Sequence, residues 1–369
     1  MNDKKVLHVY SSWTAGGAEK LMLSLAGELE KKGIKNVIAA PEDSYMFKKA
    51  IEMGLTAYGL VIKGSFDPIG LAGLLRIIKK EKIDLLHAHQ GKVFWPCIFM
   101  KWLSGGRLRV VFHRHAQLAH RFYSRTHYLF ADGVIAISKA VARGLVEREK
   151  VPAEKVTVVY NGTDFTRFNR SVSADEVRKK FGLAGKPVIG TVAAMNRPKG
   201  KGQEYLIEAA QIVKIRFPEI RFLIVGTGEI EEELKKLAKK LGVQNEIVFT
   251  GYQEEVEKFI AAMDIFAFLS WDTEGFGQVM VEAQAQGKPV IGTNIGGIPE
   301  TFVDTVTGIL IPSKNSELLA QVLIMILSDE KLMRSMGEKA EAFVRENFSL
   351  DKMVQGVMAV YGKAFEPKV

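Results

Sequence analysis

Two carboxylates, Glu274 and Glu282, stand with seven residues between them in the stretch DIFAFLSWDTEGFGQVMVEAQAQGKPVIGTNIGGIPE, residues 264–300. On one unbroken helix they would lie about 12 Å apart along the axis and roughly 80° around it, too far to share a ligand. Gly275 and Gly277 remove that constraint, because a glycine loop lets Glu274 sit at its tip while Glu282 projects from the first turns of a following helix. Each carboxylate could then accept hydroxyl hydrogen bonds from a different part of one molecule. The alternative is that Glu274 complements the helix dipole and Glu282 lies on a solvated face.

Cations stand upstream in 196–203, NRPKGKGQ, where Arg197, Lys199 and Lys201 fall between a strand and a helix. There they could neutralise a pyrophosphate without a metal, or form a solvated basic loop. Gly226-Thr227-Gly228-Glu229 is another glycine turn after a strand. His87 and His89 close one strand, and His113 and His115 close another, at the rim where α/β sheets carry function. The chain has no Asp-x-Asp, and its seven histidines show no helix-spaced pair with a carboxylate. A metal-bridged diphosphate is therefore not expected, and neither is any other cofactor.

The elements that must hold these groups read as repeated βα units. A buried-type strand over 265–269 stops at Ser270, and a helix over 278–286 has Val279, Val281 and Ala283 to bury. A strand that delivers a glycine loop into a helix N-terminus presents N–H groups and the positive dipole end, which suits a phosphate. A second such turn, Gly296-Gly297-Ile298-Pro299-Glu300, follows a strand over 289–292, and the two loops are expected to line one crevice. At the start of the chain a strand over 5–11 leads through Gly16 and Gly17 into a helix over 18–32, with Leu21, Leu25 and Leu29 on one face. The G-x-G-x-x-G spacing is missing, so no nicotinamide site is expected there.

Further strands are expected over 36–40, 55–61, 84–87, 133–137 and 156–160, with helices over 68–80 and from Ser138, a good N-cap. The polar run 161–170, a short helix over 171–181 and Pro187 place a domain boundary at 170/171. Beyond it, strands over 188–193, 221–225 and 246–250 alternate with helices over 203–217, 230–241 and 253–263; helices over 316–328, 330–347 and 350–365 end the chain. The fold class is α/β, with two Rossmann-like halves built on open parallel sheets.

A chain of 369 residues with 47% hydrophobic content supports two cores, and the single Cys97 fits a reducing compartment. No signal peptide is evident and no apolar run approaches the ~18 residues of a membrane span, so a cytoplasmic protein is expected. The net charge of +9 is uneven: residues 1–170 hold 27 Lys+Arg against 15 Asp+Glu. That basic half suggests an acidic partner, whether nucleic acid, anionic lipid or phosphorylated glycan. Within 92–128, Phe94, Trp95, Phe99, Trp102, Phe112, Phe122, Tyr123 and Tyr128 mix with Lys92, Lys101, Arg107, Arg109, Arg114, Arg121 and Arg125. The mixture suits an anionic membrane surface or a phospholipid-linked acceptor, unless the aromatics are core. With no recognised nucleic-acid module, a nucleic-acid partner is not expected.

Glu274-Gly275-Phe276-Gly277, Glu282-Ala283, Ala285, Gly287, Pro289-Val290 and Gly296-Gly297-Ile298-Pro299-Glu300 together resemble the donor site of the family-4 retaining glycosyltransferases (glycosyl transferases group 1). The resemblance implies the GT-B architecture, two facing Rossmann-like domains with an interdomain cleft. Residues 1–170, joined by a last helix near 350–369, would bind the acceptor, and 171–349 would bind the donor. It implies roles for Glu282 on ribose hydroxyls, Glu274 on sugar hydroxyls with the backbone of Gly275, Phe276 and Gly277, and Lys201 on the diphosphate, where Arg197 would stand in for the family arginine. Gly16 and Gly17 would border the cleft, Gly226 and Tyr252 would meet the nucleotide, and His115, with His113 as the fallback, would stand near the anomeric centre. His115, Glu274 and Lys201 form the expected catalytic set. The sequence departs from the family at Ala194, where an arginine is usual.

The implied reaction is metal-independent transfer, with retention, from a nucleotide-diphosphate sugar to a hydroxyl of a lipid-linked or cell-envelope glycan such as a lipopolysaccharide or exopolysaccharide precursor. UDP is the expected carrier. The protein would touch the inner face of the cytoplasmic membrane peripherally. Two other readings stay open: a non-hydrolysing nucleotide-sugar epimerase of the same architecture, and a noncatalytic nucleotide-sugar or RNA-binding protein.

Overall fold

The computed structural model describes residues 4–13, 16–116, 126–197 and 200–366. The chain divides into two compact units, one formed by Met1–Gly162 with Leu350–Val369 and the other by Thr163–Ser349. The division falls eight residues before the expected 170/171 boundary. The reason is bonding: Thr163 N donates to Phe348 O at 2.8 Å, Gln278 Nε2 donates to Thr163 Oγ1 at 2.9 Å, and Arg167 pairs with Glu257 at 2.6 Å. These contacts tie 163–170 to the second unit.

The first unit is built on a seven-stranded sheet in the order β3-β2-β1-β4-β5-β6-β7, with every pairing parallel. Its strands are β1 (Lys5–Val9), β2 (Lys35–Ala40), β3 (Thr56–Gly59), β4 (Leu85–Ala88), β5 (Arg109–Arg114), β6 (Gly133–Ala136) and β7 (Val156–Val158). β1, β4 and β5 are buried on both faces, as a sheet covered by helices requires, and they carry His8, His87, His113 and Arg114 into that buried layer. Leu21, Leu25 and Leu29 of helix Gly17–Lys31 are buried as their spacing predicts. Helix Leu350–Phe365 returns to this unit, packs against Gly17–Lys31, and buries Met353, Val354, Val357, Val360, Tyr361 and Ala364. Each fully buried large apolar side chain contributes about 1.5–3 kcal/mol, so this terminal helix is a structural part of the unit.

The second unit holds a six-stranded parallel sheet in the order β10-β9-β8-β11-β12-β13. Its strands are β8 (Val188–Val192), β9 (Arg221–Val225), β10 (Ile247–Phe249), β11 (Ile265–Phe268), β12 (Val290–Thr293) and β13 (Gly308–Ile311). In both sheets the strand order reverses beside the first strand, at β1/β4 and at β8/β11. Ligands of open α/β sheets bind beyond the carboxyl ends of the strands at such a switch point.

Several expectations are corrected. Helices Tyr45–Glu52 and Gly91–Leu103 and strand β13 have no counterpart in the sequence reading. The expected helices over 171–181 and 253–263 shrink to Asp175–Lys180 and Val256–Ala261. Ahead of the latter, Gln253 Nε2 instead donates to Thr250 O at 2.7 Å in the preceding turn. In helix Gln278–Ala285 it is Met280, not Val279, that is buried with Val281 and Ala283.

Candidate functional site

At the β8/β11 switch point the loops are packed backbone to backbone, and the glycines are what allow it. Gly277 has φ +95° and caps helix Gln278–Ala285. Gly296 has φ +55°, and a Cβ there would stand 1.9 Å from Glu274 O; one on Gly297 would stand 2.3 Å from Gly275 O. Gly297 N donates to Glu274 O at 3.1 Å. The Glu274–Gly277 loop and the Gly296–Gly297 turn therefore form one continuous wall.

Lys201 lies on the opposing turn. Gly202, at φ +78°, approaches Leu269 O so closely that a Cβ would be 2.1 Å from it, and Gly200 is pressed against the Trp271 ring. Trp271 is held by its Nε1, which donates to Glu204 Oε1 at 2.6 Å, and by Lys314 over its ring at 4.3 Å. This packing delivers Lys201 Nζ to within 2.6 Å of Glu274 Oε2, and Phe276 N lies 3.4 Å from the other carboxylate oxygen. The pair is largely screened from solvent, with side chains 21% and 15% exposed. It stands beside the positive end of helix Gln278–Ala285, which also carries half-buried Glu282. A cation, a carboxylate and a helix N-terminus can between them receive a phosphate and a hydroxyl.

Arg197 is placed elsewhere. Its guanidinium is paired with Glu233 on helix Glu231–Lys240, and both side chains are about 60% exposed. Arg197 and Glu233 line a cavity of about 510 Å³ with Trp271, Glu204 and Leu237, and neither Lys201 nor Glu274 borders it. Ala194 contributes its carbonyl, which accepts from Gln203 Nε2 at 3.3 Å. Gly226 is a close-approach glycine: at φ +131° its Cβ would stand 2.2 Å from Ala193 O, and its N–H donates to Gly251 O at 3.0 Å. Tyr252, just beyond, is 62% exposed, so its ring face is available for stacking.

In the first unit Gly16 caps helix Gly17–Lys31, and its N–H donates to Glu19 Oε2 at 3.1 Å. Glu19 also receives Gln90 Nε2 at 3.5 Å, while Gln90 Oε1 accepts from both Ser11 N and Ser11 Oγ at 2.8 Å. Burial holds the Glu19 carboxyl above its ordinary pKa. Ser11, Glu19 and Gln90 went unremarked in the sequence; a Glu three residues after an N-cap was the available signal.

His113 is fully buried and bonded through Nδ1 to His87 Nε2 at 3.2 Å, whereas neither ring nitrogen of half-buried His115 has a partner among the described residues. Burial, with a smaller contribution from the Arg114 charge, lowers the His115 pKa to about 4, so its ring is neutral at pH 7.

The basic aromatic segment separates into parts. Phe94, Phe112 and Tyr128 are core. Lys101 and Arg114 are turned inward, pairing with Asp132 at 2.7 Å and Glu149 at 3.2 Å, which corrects their assignment to an anion-facing surface. Phe122, Tyr123, Arg121 and Arg125 lie outside the described residues. At the surface, Trp102 stands 5.7 Å from Phe99 and 5.1 Å from Phe130, and Phe66 lies 5.6 Å from Phe99. Exposed Lys92 and Arg107 occur in the same segment.

Residues 173–343 match the family described as Glycosyl transferases group 1, and residues 15–167 match Glycosyltransferase Family 4. The chain is 28% identical over 321 residues to N-acetyl-alpha-D-glucosaminyl L-malate synthase of Bacillus anthracis, covering 84% of this chain and 82% of that protein. It is 30% identical over 310 residues to an uncharacterised glycosyltransferase of Methanocaldococcus jannaschii, covering 79% and 78%. Among solved structures, HepE of Anabaena in complex with UDP-glucose superposes with a TM-score of 0.85 at 24% identity, covering 97% of this chain and 99% of that one. With two parallel-sheet units, both family matches and these relatives, the chain belongs to the family-4 glycosyltransferases of the GT-B fold.

Proposed function

We propose that the protein transfers a sugar from a nucleotide-diphosphate sugar, with UDP as the carrier, to a hydroxyl of a lipid-linked or cell-envelope glycan, with retention of anomeric configuration. The observation that carries this reading is the Lys201–Glu274 pair at 2.6 Å beside the N-terminus of helix Gln278–Ala285. On donor binding, Lys201 exchanges its carboxylate partner for the diphosphate, and Glu274 turns its oxygens to the sugar hydroxyls. Glu282 takes the ribose hydroxyls and Tyr252 the base. HepE, the UDP-glucose-bound neighbour, supports UDP as the carrier.

As the glycosidic bond breaks, negative charge grows on the leaving diphosphate and positive charge on the sugar ring. Lys201 and the helix end lower the barrier by stabilising the first, and no metal is required for that step. The acceptor hydroxyl attacks from the face the diphosphate leaves, and the departing phosphate takes its proton. The first unit presents the acceptor, with His115 as a neutral hydrogen-bonding group. Peripheral membrane contact is part of the proposal, through the exposed aromatic patch around Trp102.

A thermal-shift panel of UDP, GDP, ADP and their sugar derivatives, without metal and then with magnesium, tests the donor site. A ligand at a hundred times its Kd adds about 2.7 kcal/mol to stability. Stabilisation by the uridine series, lost in Glu282→Ala, is expected; no response to any nucleotide would remove the donor assignment. The anomeric configuration of the product, read by NMR coupling constants, tests retention.

A further inference from the structure

Five of the seven histidines gather at the carboxyl end of the first sheet, at its β1/β4 switch point. His8 on β1 is in register with His87 on β4, and strand alternation sets His89 on the same face as His87 and His115 on the same face as His113. The rings are close: 4.1 Å between the centroids of His87 and His89, 4.4 Å for His113 and His115, and 5.8 Å for His89 and His115.

Hydrogen bonds fix what His8 and His89 can offer. Asn36 Nδ2 donates to Ile34 O at 2.7 Å and Ala26 O at 3.2 Å, so Asn36 Oδ1 faces His8 Nε2, 2.9 Å away, and that nitrogen must carry the proton. His8 Nδ1 is then bare and accepts from His89 Nε2–H at 3.0 Å. This leaves His89 Nδ1 as a bare lone pair on a side chain only 4% exposed, with no partner among the described residues. On the other strand, Tyr361 Oη lies 2.6 Å from His87 Nδ1, and His87 Nε2 lies 3.2 Å from His113 Nδ1. His113 Nε2, on a side chain 1% exposed, is again without a partner among the described residues, as are both nitrogens of His115. His8 and His87 have both nitrogens committed, so they are supports rather than ligands.

We infer that His89, His113 and His115 form a binding site for a single borderline transition-metal ion, of the Zn²⁺ class. One ring nitrogen of each lies within 4.8 Å of the others. Tetrahedral ligation at about 2.0–2.1 Å needs the nitrogens about 3.4 Å apart, a closure that small ring rotations supply. Imidazole suits zinc, copper and nickel, and three imidazoles leave one coordination position open. Asn36–His8 behind His89, and Tyr361–His87 behind His113, are the hydrogen-bonded supports that orient metal-ligating histidines. The neighbouring Arg114 charge is answered by Glu149 at 3.2 Å. The inference does not rest on the donor chemistry above, although an ion held here would engage His115.

The test uses the full chain, untagged and stripped with chelator, titrated with Co²⁺. One equivalent is expected to produce the intense visible absorption of tetrahedral cobalt, to be displaced by one equivalent of Zn²⁺, and to fall at least tenfold in apparent affinity in His89→Gln and in His113→Gln. Circular dichroism confirms that each variant is folded. Absence of the cobalt band in the wild type overturns the site whatever the variants do, and so does undiminished binding in a folded His89→Gln/His113→Gln double variant.

Discussion

Lys201 Nζ and Glu274 Oε2 meet at 2.6 Å across 73 residues of sequence, Lys201 set between Gly200 and Gly202, which pack against Trp271 and Leu269, and Glu274 set against Gly296, which packs on its carbonyl. A partly buried pair of this kind gives each partner a defined position before a ligand arrives. If both act on the donor, Lys201→Ala and Glu274→Ala each lower kcat/KM by about 10²–10³, the loss typical of removing one preorganised electrostatic contact. The double variant then loses much less than the product of the single losses, because groups acting as a unit are not additive. Steady-state kinetics with the donor found in the nucleotide panel decide it; multiplicative losses would separate the two roles.

The wall formed by the two glycine loops predicts a sharp contrast among glycines. Gly296→Ala puts a methyl 1.9 Å from Glu274 O at φ +55°, so the loop must move; a cost of about 2 kcal/mol or more and weakened nucleotide binding are expected. Gly17→Ala meets nothing within 4 Å at the first position of a helix and is expected to be neutral or to stabilise by about 0.4–1 kcal/mol. Urea denaturation of the two variants makes the comparison.

Much of this was readable where local chemistry and packing agree. Asp67 caps helix Pro68–Glu81 by accepting from Ile69 N and Gly70 N at 3.2 Å, and Pro68 stands in its first turn, so sequence and structure coincide there. Helix Gly91–Leu103 escaped because Pro96 lies inside it and because its apolar residues run around the whole circumference, leaving no periodic stripe. At the site, the glycine turns and both carboxylates were visible. Which cation would reach Glu274 was not: Lys201 does, while Arg197 goes to Glu233, a choice set by the packing of Gly200 and Gly202 against Trp271 and Leu269. The histidines were visible as two H-x-H pairs, but His8 joins them only through the β1–β4 register.

Lys288 carries a pH prediction. Burial lowers its pKa to about 8, against a smaller opposing pull from Asp264, and its Nζ donates to Ala261 O at 2.9 Å. The folded group is neutral above about 8 while the unfolded one stays protonated to its ordinary 10.5. Between those values the unfolded chain binds more protons, so stability rises with pH, by at most about 3 kcal/mol from this group. Below pH 8 both states are charged and the contribution is flat. Lys288→Met is expected to be the more stable protein at pH 7 and to lack that share of the rise, measured as the difference between wild-type and variant unfolding free energies from pH 7 to 10.5.

No described helix is long and apolar enough to cross a membrane, and the proposed membrane contact is by a surface patch. Trp102 is 49% and Leu103 69% exposed at the end of helix Gly91–Leu103, with Phe66 at 79% and Phe130 at 40% joined to them through ring contacts. A monomeric surface seldom leaves so many large apolar groups together without a use. Burying each in the headgroup boundary is worth roughly 1–2 kcal/mol, so Trp102→Ser and Leu103→Ser should each weaken binding to anionic vesicles about tenfold. Both side chains are exposed, so the melting temperature should hardly move. Vesicle co-sedimentation at two salt concentrations separates the apolar contribution, which survives salt, from that of Lys92 and Arg107, which does not. Equal sedimentation of wild type and the double variant would show that this patch is not what meets the membrane.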